Sequence, residues 1–305
     1  MSLAPHVATL GRGPGRSRSL TEAEAAEAMA LMLEGAAPEA VGALLMLLRM
    51  KGETAEEIAG LTRAAQAACP ALPHADLDWP CYAAGRTRGL PWFLLSARLV
   101  AMAGHRVVLH GFNGSDAPVR AHLAEAGIGT VAGVTYLPLE DLHPALFNLL
   151  RLRPVLGLRS CINTVCRMLN PARAKASVQG VFHPSYRLLQ AEAAALLGWA
   201  DLTVIKGGGG EFERLPGKPV TAFGLRGGAL FDGEFPALTA PIRLAEVAPG
   251  VSLAALWSGA ADDATAREIV IGTAALALDT LGHENPETLA RTLWASRHTD
   301  TEAAA

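Results

Sequence analysis

The chain has 305 residues, half of them hydrophobic, and sets 26 Lys and Arg against 29 Asp and Glu for a formal net charge of -3. That length predicts two domains sharing an interface, and the apolar content supplies a large core. The near-balanced charge neither predicts nor excludes nucleic-acid binding, which depends on where the basic residues sit. Aromatic residues make up only 5% and alanine is abundant, which favours closely packed helices over an aromatic-rich sandwich. The cysteines Cys69, Cys81, Cys161 and Cys166 lack zinc-type spacing and lie mostly in apolar segments. They read as reduced core thiols of a cytoplasmic protein. No apolar run approaches the ~18 residues of a membrane span, so no membrane partner is expected. Arg12, Arg16 and Arg18 precede no signal-type hydrophobic region, and this N-terminal arm is expected to be disordered, with basic contact to a polyanion as the other reading.

Thr21 with Glu24 forms a capping box with Leu20 as its staple, so a helix is expected to run to a C-cap at Gly35. Pro38 opens a second helix through Met50. Its run Val41, Leu44, Leu45, Leu47, Leu48 is too apolar for a solvated helix. A second capping box, Thr54 with Glu57, starts a third helix to about Cys69. A helical trio with this much leucine calls for a partner, and a companion subunit is expected to cover it.

After Pro70 and Pro73 the pattern turns to alternating strands and helices. Strands are expected at 76–82, 106–110 and 129–134, and helices at 91–103, 117–127 and 139–150. Such alternation predicts a largely parallel sheet covered on both faces. Ligands of such sheets lie beyond the carboxyl ends of the strands, so the loops 83–89, 110–115 and 206–213 should converge on one crevice. A strand-like stretch at 240–244 and a helix at 264–281 complete the chain.

Two stretches look chemical rather than structural. Leu202 to Ile205 reads as a buried strand that delivers Lys206 onto four glycines, Gly207 to Gly210. Glycines allow close backbone approach to a phosphate, and Lys206 adds a charge; the lysine precedes the glycines, so this is not a Walker motif. Glu211 and Glu213 come next, either as Mg²⁺ ligands or as solvated carboxylates of a surface loop. The second stretch, 151–175, holds Arg151, Arg153, Arg159, Arg167, Arg173 and Lys175 with no acidic residue. It reads as a phosphate-contacting face or as a solvated one. Arg86 and Arg88 add charge to the loop before Pro91.

The segments Leu48-Arg-Met-Lys-Gly-Glu-Thr-Ala-Glu-Glu-Ile-Ala-Gly60, His110-Gly111, Leu156-Gly-Leu-Arg159 with Asn163, Leu169-Asn-Pro171 and Gly180-Val-Phe-His-Pro184 resemble the anthranilate phosphoribosyltransferase family. The resemblance implies an α/β fold with a small all-helical domain (1–70, joined by a helical insertion near 160–185), a larger sheet domain (71–305), a hinge and a homodimer through the helical domains. It also implies phosphoribosyl transfer to an aromatic amine, with Mg²⁺ possible as cofactor and Arg153 facing the acceptor.

The sequence departs from that pattern. Tyr82-Ala-Ala-Gly85-Arg86 stands where the family has its glycine-rich diphosphate motif, Leu109-His110-Gly111-Phe-Asn113 lacks the family's lysine, and Phe212 splits the acidic pair Glu211 and Glu213. A side chain in a pyrophosphate cradle and a lost cation both weaken binding of a highly charged leaving group. These departures are similar to the divergent branch of TrpD-like proteins typified by YbiB. That likeness implies a homodimer binding DNA or RNA with little sequence preference, through Lys206, Gly207, Gly208, Arg86, Arg88, Arg151, Arg153, Arg159, Arg173 and Lys175. Tyr82, Gly85, His110, Gly111 and Asn113 would then mark a vestigial substrate site. An active phosphoribosyltransferase on another nucleophile is the alternative.

Overall fold

The computed structural model describes residues 2–82, 89–112, 117–241 and 250–298. Four helices come first: α1 (Ala4–Gly11), α2 (Glu22–Leu33), α3 (Pro38–Lys51) and α4 (Ala55–Ala67). Both expected capping boxes form, with the N–H groups of Glu24 and Glu57 donating to Thr21 and Thr54 at 3.2 and 3.3 Å. Glu57 is fully buried and accepts from the Thr54 N–H, the Leu20 N–H and the Lys51 ammonium at 2.8–2.9 Å. One carboxylate thus ties together the starts of α2 and α4 and the end of α3. Helices α2 and α4 meet closely at Gly60, where a Cβ would lie 2.1 Å from the Glu22 carbonyl oxygen.

The N-terminal arm is ordered, against expectation. Helix α1 buries Leu3, His6 and Leu10, and Arg18 pairs with Glu24 at 2.6 Å. The leucine-rich face of α3 is covered within the chain, with Leu44, Leu45 and Leu48 fully buried in one cluster with Leu3, Leu10 and Met29. These leucines of α3 therefore need no companion subunit to cover them.

The remaining elements alternate as β1 (Leu77–Cys81), α5 (Phe93–Met102), β2 (Val107–Gly111), α6 (Ala117–Arg120), β3 (Val134–Pro138), α7 (Leu139–Leu142), α8 (Pro144–Leu150), α9 (Arg153–Leu156), α10 (Ile162–Arg167), β4 (Ala176–Val181), α11 (Tyr186–Leu196) and β5 (Asp201–Lys206). Then come β6 (Val220–Arg226), β7 (Ala229–Phe235), α12 (Leu253–Ser258), α13 (Ala264–Thr280) and α14 (Pro286–Ser296). The strands form one sheet in the order β3-β2-β1-β4-β5-β6-β7, parallel through β5 and antiparallel beyond it.

Several boundaries differ from expectation. The third strand starts at Val134, because residues 121–133 form a run of turns with positive-φ glycines at 127, 129 and 133. The expected helix over 139–150 is two, broken at His143, whose ring accepts the Leu146 N–H at 3.3 Å and caps α8. The helical insertion is α7 to α10, ahead of the expected 160–185, and residues 176–181 are a central strand. The stretch expected as a strand at 240–244 lies mostly outside the described residues.

The order of strands decides where a site belongs. From β1 the chain steps outward to β2 and β3, crosses through the helical insertion, and returns as β4 on the other side of β1. That reversal makes β1 and β4 a topological switch point, and the space above their carboxyl ends is the natural ligand crevice. The insertion packs in the same apolar cluster as α1 to α4, which sets the helical lobe beside this crevice.

Candidate functional site

The carboxyl end of β4 runs into Val181, Phe182 and His183. Together with α3, the α9–α10 region and α11 these residues line a pocket of about 220 Å³. Four arginines enter it: Arg49 from the last turn of α3, Arg153 from the start of α9, Arg159 from the α9–α10 connection and Arg167 from the end of α10. Among the described residues no acidic one lines it, whereas Ser160, Asn163, Thr164 and Tyr186 add neutral polar groups. Phe182 and Leu158 stand at the rim, about half exposed.

Each arginine is held differently. Arg167 is buried; its Nη2 donates to the Tyr82 carbonyl at 2.9 Å and its Nη1 to the Asn163 carbonyl at 3.4 Å. Burial pushes its guanidinium below the ordinary arginine range, and Glu211 acts in the opposite sense. Arg159 is lowered as well, first by burial and then by the like charges of Arg153, Arg167 and Arg49. Arg49, Arg153 and Arg159 have no carboxylate within ion-pair distance among the described residues. Of these three, Arg49 and Arg153 are exposed and Arg159 is half-buried; an oxyanion entering such a cluster would gain charge-assisted hydrogen bonds and relieve mutual repulsion. Behind the pocket wall, Tyr186 donates its hydroxyl to Glu53 at 3.1 Å. Burial and that carboxylate push its phenol up to about 12.

The basic run 151–175 divides in space. Arg153, Arg159 and Arg167 reach the pocket, and Arg151 does not: its guanidinium lies over the Phe147 ring, 5.5 Å from the centroid. Arg173, with φ at +54°, turns away to donate to the side chain and carbonyl of Gln66 at 2.6 and 3.0 Å. Lys175 precedes β4 and lies 3.9 Å from Asp201 at the start of β5, at the amino ends of the strands. Arg173 and Lys175 therefore belong to a different face from the crevice. Lys206 stays exposed at the carboxyl end of β5, in register beside Val181 of the pocket wall. Arg49 was not expected here, although it lies in the Leu48 to Gly60 segment that carried the family resemblance.

The glycine loop does something other than cradle phosphate. Its Gly208, Gly210, Glu211 and Glu213 N–H groups donate to carbonyls inside the loop, of Glu213, Gly207, Gly208 and Glu211. A Cβ on Gly207 would meet the Glu211 carbonyl at 1.7 Å, and one on Gly180 the same group at 2.2 Å. These glycines let the chain fold tightly back over β4 and bury the acidic pair beyond them. Glu211 and Glu213 are accordingly almost fully buried, and the Glu213 Oε2 accepts the Phe93 N–H at 3.2 Å, at the positive end of α5. Among the described residues no group of three His, Cys, Asp or Glu is arranged to hold a metal. The two carboxylates are thus buried rather than solvated as a surface loop would leave them.

His110, next to last in β2, sits inside a buried hydrogen-bonded chain. Asp78 accepts from His110 Nε2 at 3.0 Å and from the Ser177 hydroxyl at 2.8 Å, while Tyr82 donates its hydroxyl to His110 Nδ1 at 2.9 Å. All four residues are at most 1% exposed, so His110 and Tyr82 form a structural network below the crevice floor. Gly111 is the buried last residue of β2. Gly85, Arg86, Arg88 and Asn113 lie outside the described residues.

Residues 6–69 match the helical bundle domain of the glycosyl transferase family. The anthranilate phosphoribosyltransferase of Roseiflexus sp. (strain RS-1) is 30% identical over 289 residues, 86% of this chain and 85% of that protein. The chain belongs to the anthranilate phosphoribosyltransferase family. An uncharacterized Aquifex aeolicus (strain VF5) protein is 32% identical over 207 residues, 66% of this chain and 67% of its own length. Among solved structures, the anthranilate phosphoribosyltransferase (TrpD) of Thermus thermophilus superposes with a TM-score of 0.80 at 23% identity, covering 99% of this chain and 97% of that one. The Saccharomyces cerevisiae enzyme in complex with PRPP and Mg gives 0.78 at 16% identity, covering 99% and 95%. The anthranilate phosphoribosyltransferase fold is thus retained over the whole chain, with no described helix long and apolar enough to cross a membrane. The four-arginine pocket lies between its helical lobe and its sheet.

Proposed function

We propose that the protein is a phosphoribosyltransferase whose acceptor is an aromatic compound with an acidic group, held in the four-arginine pocket. The observation that carries this reading is the convergence of Arg49, Arg153, Arg159 and Arg167 beside the carboxyl end of β4, with the half-exposed ring of Phe182 at the rim. Guanidiniums fix the acidic group of a planar acceptor bidentately, and a fixed acceptor presents its nucleophile in one orientation. The names of the curated relatives support the reaction type. The test is pyrophosphate release from phosphoribosyl pyrophosphate, with Mg²⁺ supplied, over a panel of aromatic amines with and without an acidic group. Turnover only with the acidic amines is expected, and Arg153→Gln should lower kcat/KM by roughly 10- to 100-fold, the worth of one charged hydrogen bond. Turnover of neutral amines at the same rate contradicts the pocket's role.

A second reading is a homodimeric protein that grips DNA or RNA backbones with little sequence preference. The altered donor side favours it: exposed Lys206 beside the unpaired Arg49, Arg153 and Arg159 supplies cations, and the carboxylates are withdrawn from the crevice. Binding of arbitrary single strands would then weaken steeply with salt, the slope reporting the phosphates contacted. Lys206→Ala would lower affinity for all sequences alike. Light scattering at micromolar concentration tests the dimer. No turnover together with salt-dependent strand binding would replace the first reading by this one.

A further inference from the structure

We infer that the acidic group accepted by the four-arginine pocket is a dianion, a phosphate monoester carried on a planar ring, rather than a single carboxylate. The inference rests on the acceptor-pocket reading and narrows its substrate class. A carboxylate carries one charge and two oxygens, which one guanidinium saturates through a bidentate pair. Here Arg49, Arg153 and Arg159 converge with no carboxylate partner among the described residues. Arg167 is the one whose charge Glu211 offsets from within the protein. Glu53, behind the wall, accepts the Tyr186 hydroxyl through Oε2 and makes no ion pair with these arginines.

Three arginines without a carboxylate partner around a pocket of about 220 Å³ can serve more than one negative charge. A phosphate monoester supplies a charge near -2 and three strong acceptor oxygens, enough for several guanidiniums together with the hydroxyls of Ser160 and Thr164 on the wall. The apolar demand is met at the rim. Phe182 is 55% exposed and Leu158 49%, both at the pocket, and a ring attached to the phosphate would cover them.

Calorimetric titration of the full chain with phenyl phosphate and with benzoate separates the two claims. Phenyl phosphate is expected to bind at least about tenfold tighter than benzoate at pH 7.5. Its affinity should climb as pH rises through about 6, where the monoester loses its second proton, while benzoate stays flat. Arg159→Gln, at a half-buried position on a connection, should reduce the phosphate preference with the far-ultraviolet spectrum unchanged. Arg153→Gln, exposed on the pocket rim, gives the same readout should the first variant misfold. Equal affinities, or no pH dependence for phenyl phosphate, overturn the dianion inference and leave the acceptor pocket standing. Binding of neither compound removes both. A single-stranded oligonucleotide that outcompetes phenyl phosphate replaces the monoester by a phosphodiester backbone.

Discussion

Asp78, His110 and Tyr82 are joined in a fully buried hydrogen-bonded chain, and Tyr82 in turn offers its carbonyl to Arg167. The His110 ring is therefore held on both nitrogens, between Asp78 and Tyr82, with no exposed surface. Replacing it by leucine leaves the Tyr82 hydroxyl and the Asp78 carboxylate short of a partner. A cost of about 2–4 kcal/mol is expected for a broken buried network, measured as a lower urea midpoint. An unchanged midpoint would mean that water takes over the bonds. The His110-Gly111 pair was legible as a strand end at the crevice. Its partners were not, because Asp78 and Ser177 approach it only through the pairing of β1 with β2 and β4. The same holds for the glutamates. Their two-residue spacing is visible in the sequence, but their burial depends on Gly180 and Gly207, whose missing side chains admit the Glu211 backbone from another segment.

Among the elements, the helical lobe was readable wherever a helix carries its own punctuation. Thr21 with Glu24 and Thr54 with Glu57 cap α2 and α4 as expected, and Pro38 opens α3. Helix α1 has no side-chain cap, and its order comes from packing Leu3 and Leu10 into the lobe, a tertiary effect that no local motif announces. Glu57 joins three element ends, so Glu57→Ala should destabilise the protein by about 2–4 kcal/mol, the cost of leaving the Leu20 and Thr54 N–H groups without their acceptor. A loss under about 1 kcal/mol, the range of an exposed pair, would show that Lys51 simply swings into solvent. Glu24 gives a pH prediction. Arg18 and the Thr21 N–H hold its carboxyl at about 2, below the ordinary 4.5. A depressed carboxyl contributes stability that is complete above pH 4.5 and disappears as pH falls through about 2. The stability gap between wild type and Glu24→Gln should therefore narrow from about pH 5 to about pH 2. The pair is largely solvated, so the gap is expected to be small, and a gap that widens on acidification would reverse the assignment.

For the molecule as a whole, the reversal of strand order between β1 and β4 makes one crevice, and the helical lobe brings Arg49 to it from about a hundred residues upstream of Arg153 and Arg159. The alternation of strands and helices made the parallel sheet legible. It did not reveal which half of the basic run 151–175 faces the crevice, because the left-handed backbone at Arg173 turns that end toward Gln66. Cysteines offer little chemistry: burial pushes Cys69 up to about 11 and raises Cys161 and Cys166 further. A ligand that bridges lobe and sheet should stabilise both together, by about 2.7 kcal/mol at a hundredfold excess over its dissociation constant. The most direct measurement is a crystal structure of the protein grown with an aromatic acid or phosphate monoester. Ligand oxygens within hydrogen-bonding distance of Arg153, Arg159 and Arg167, with the ring against Phe182, are expected. Ligand bound instead on the Gly207 to Gly210 loop, with the arginines untouched, would contradict the account.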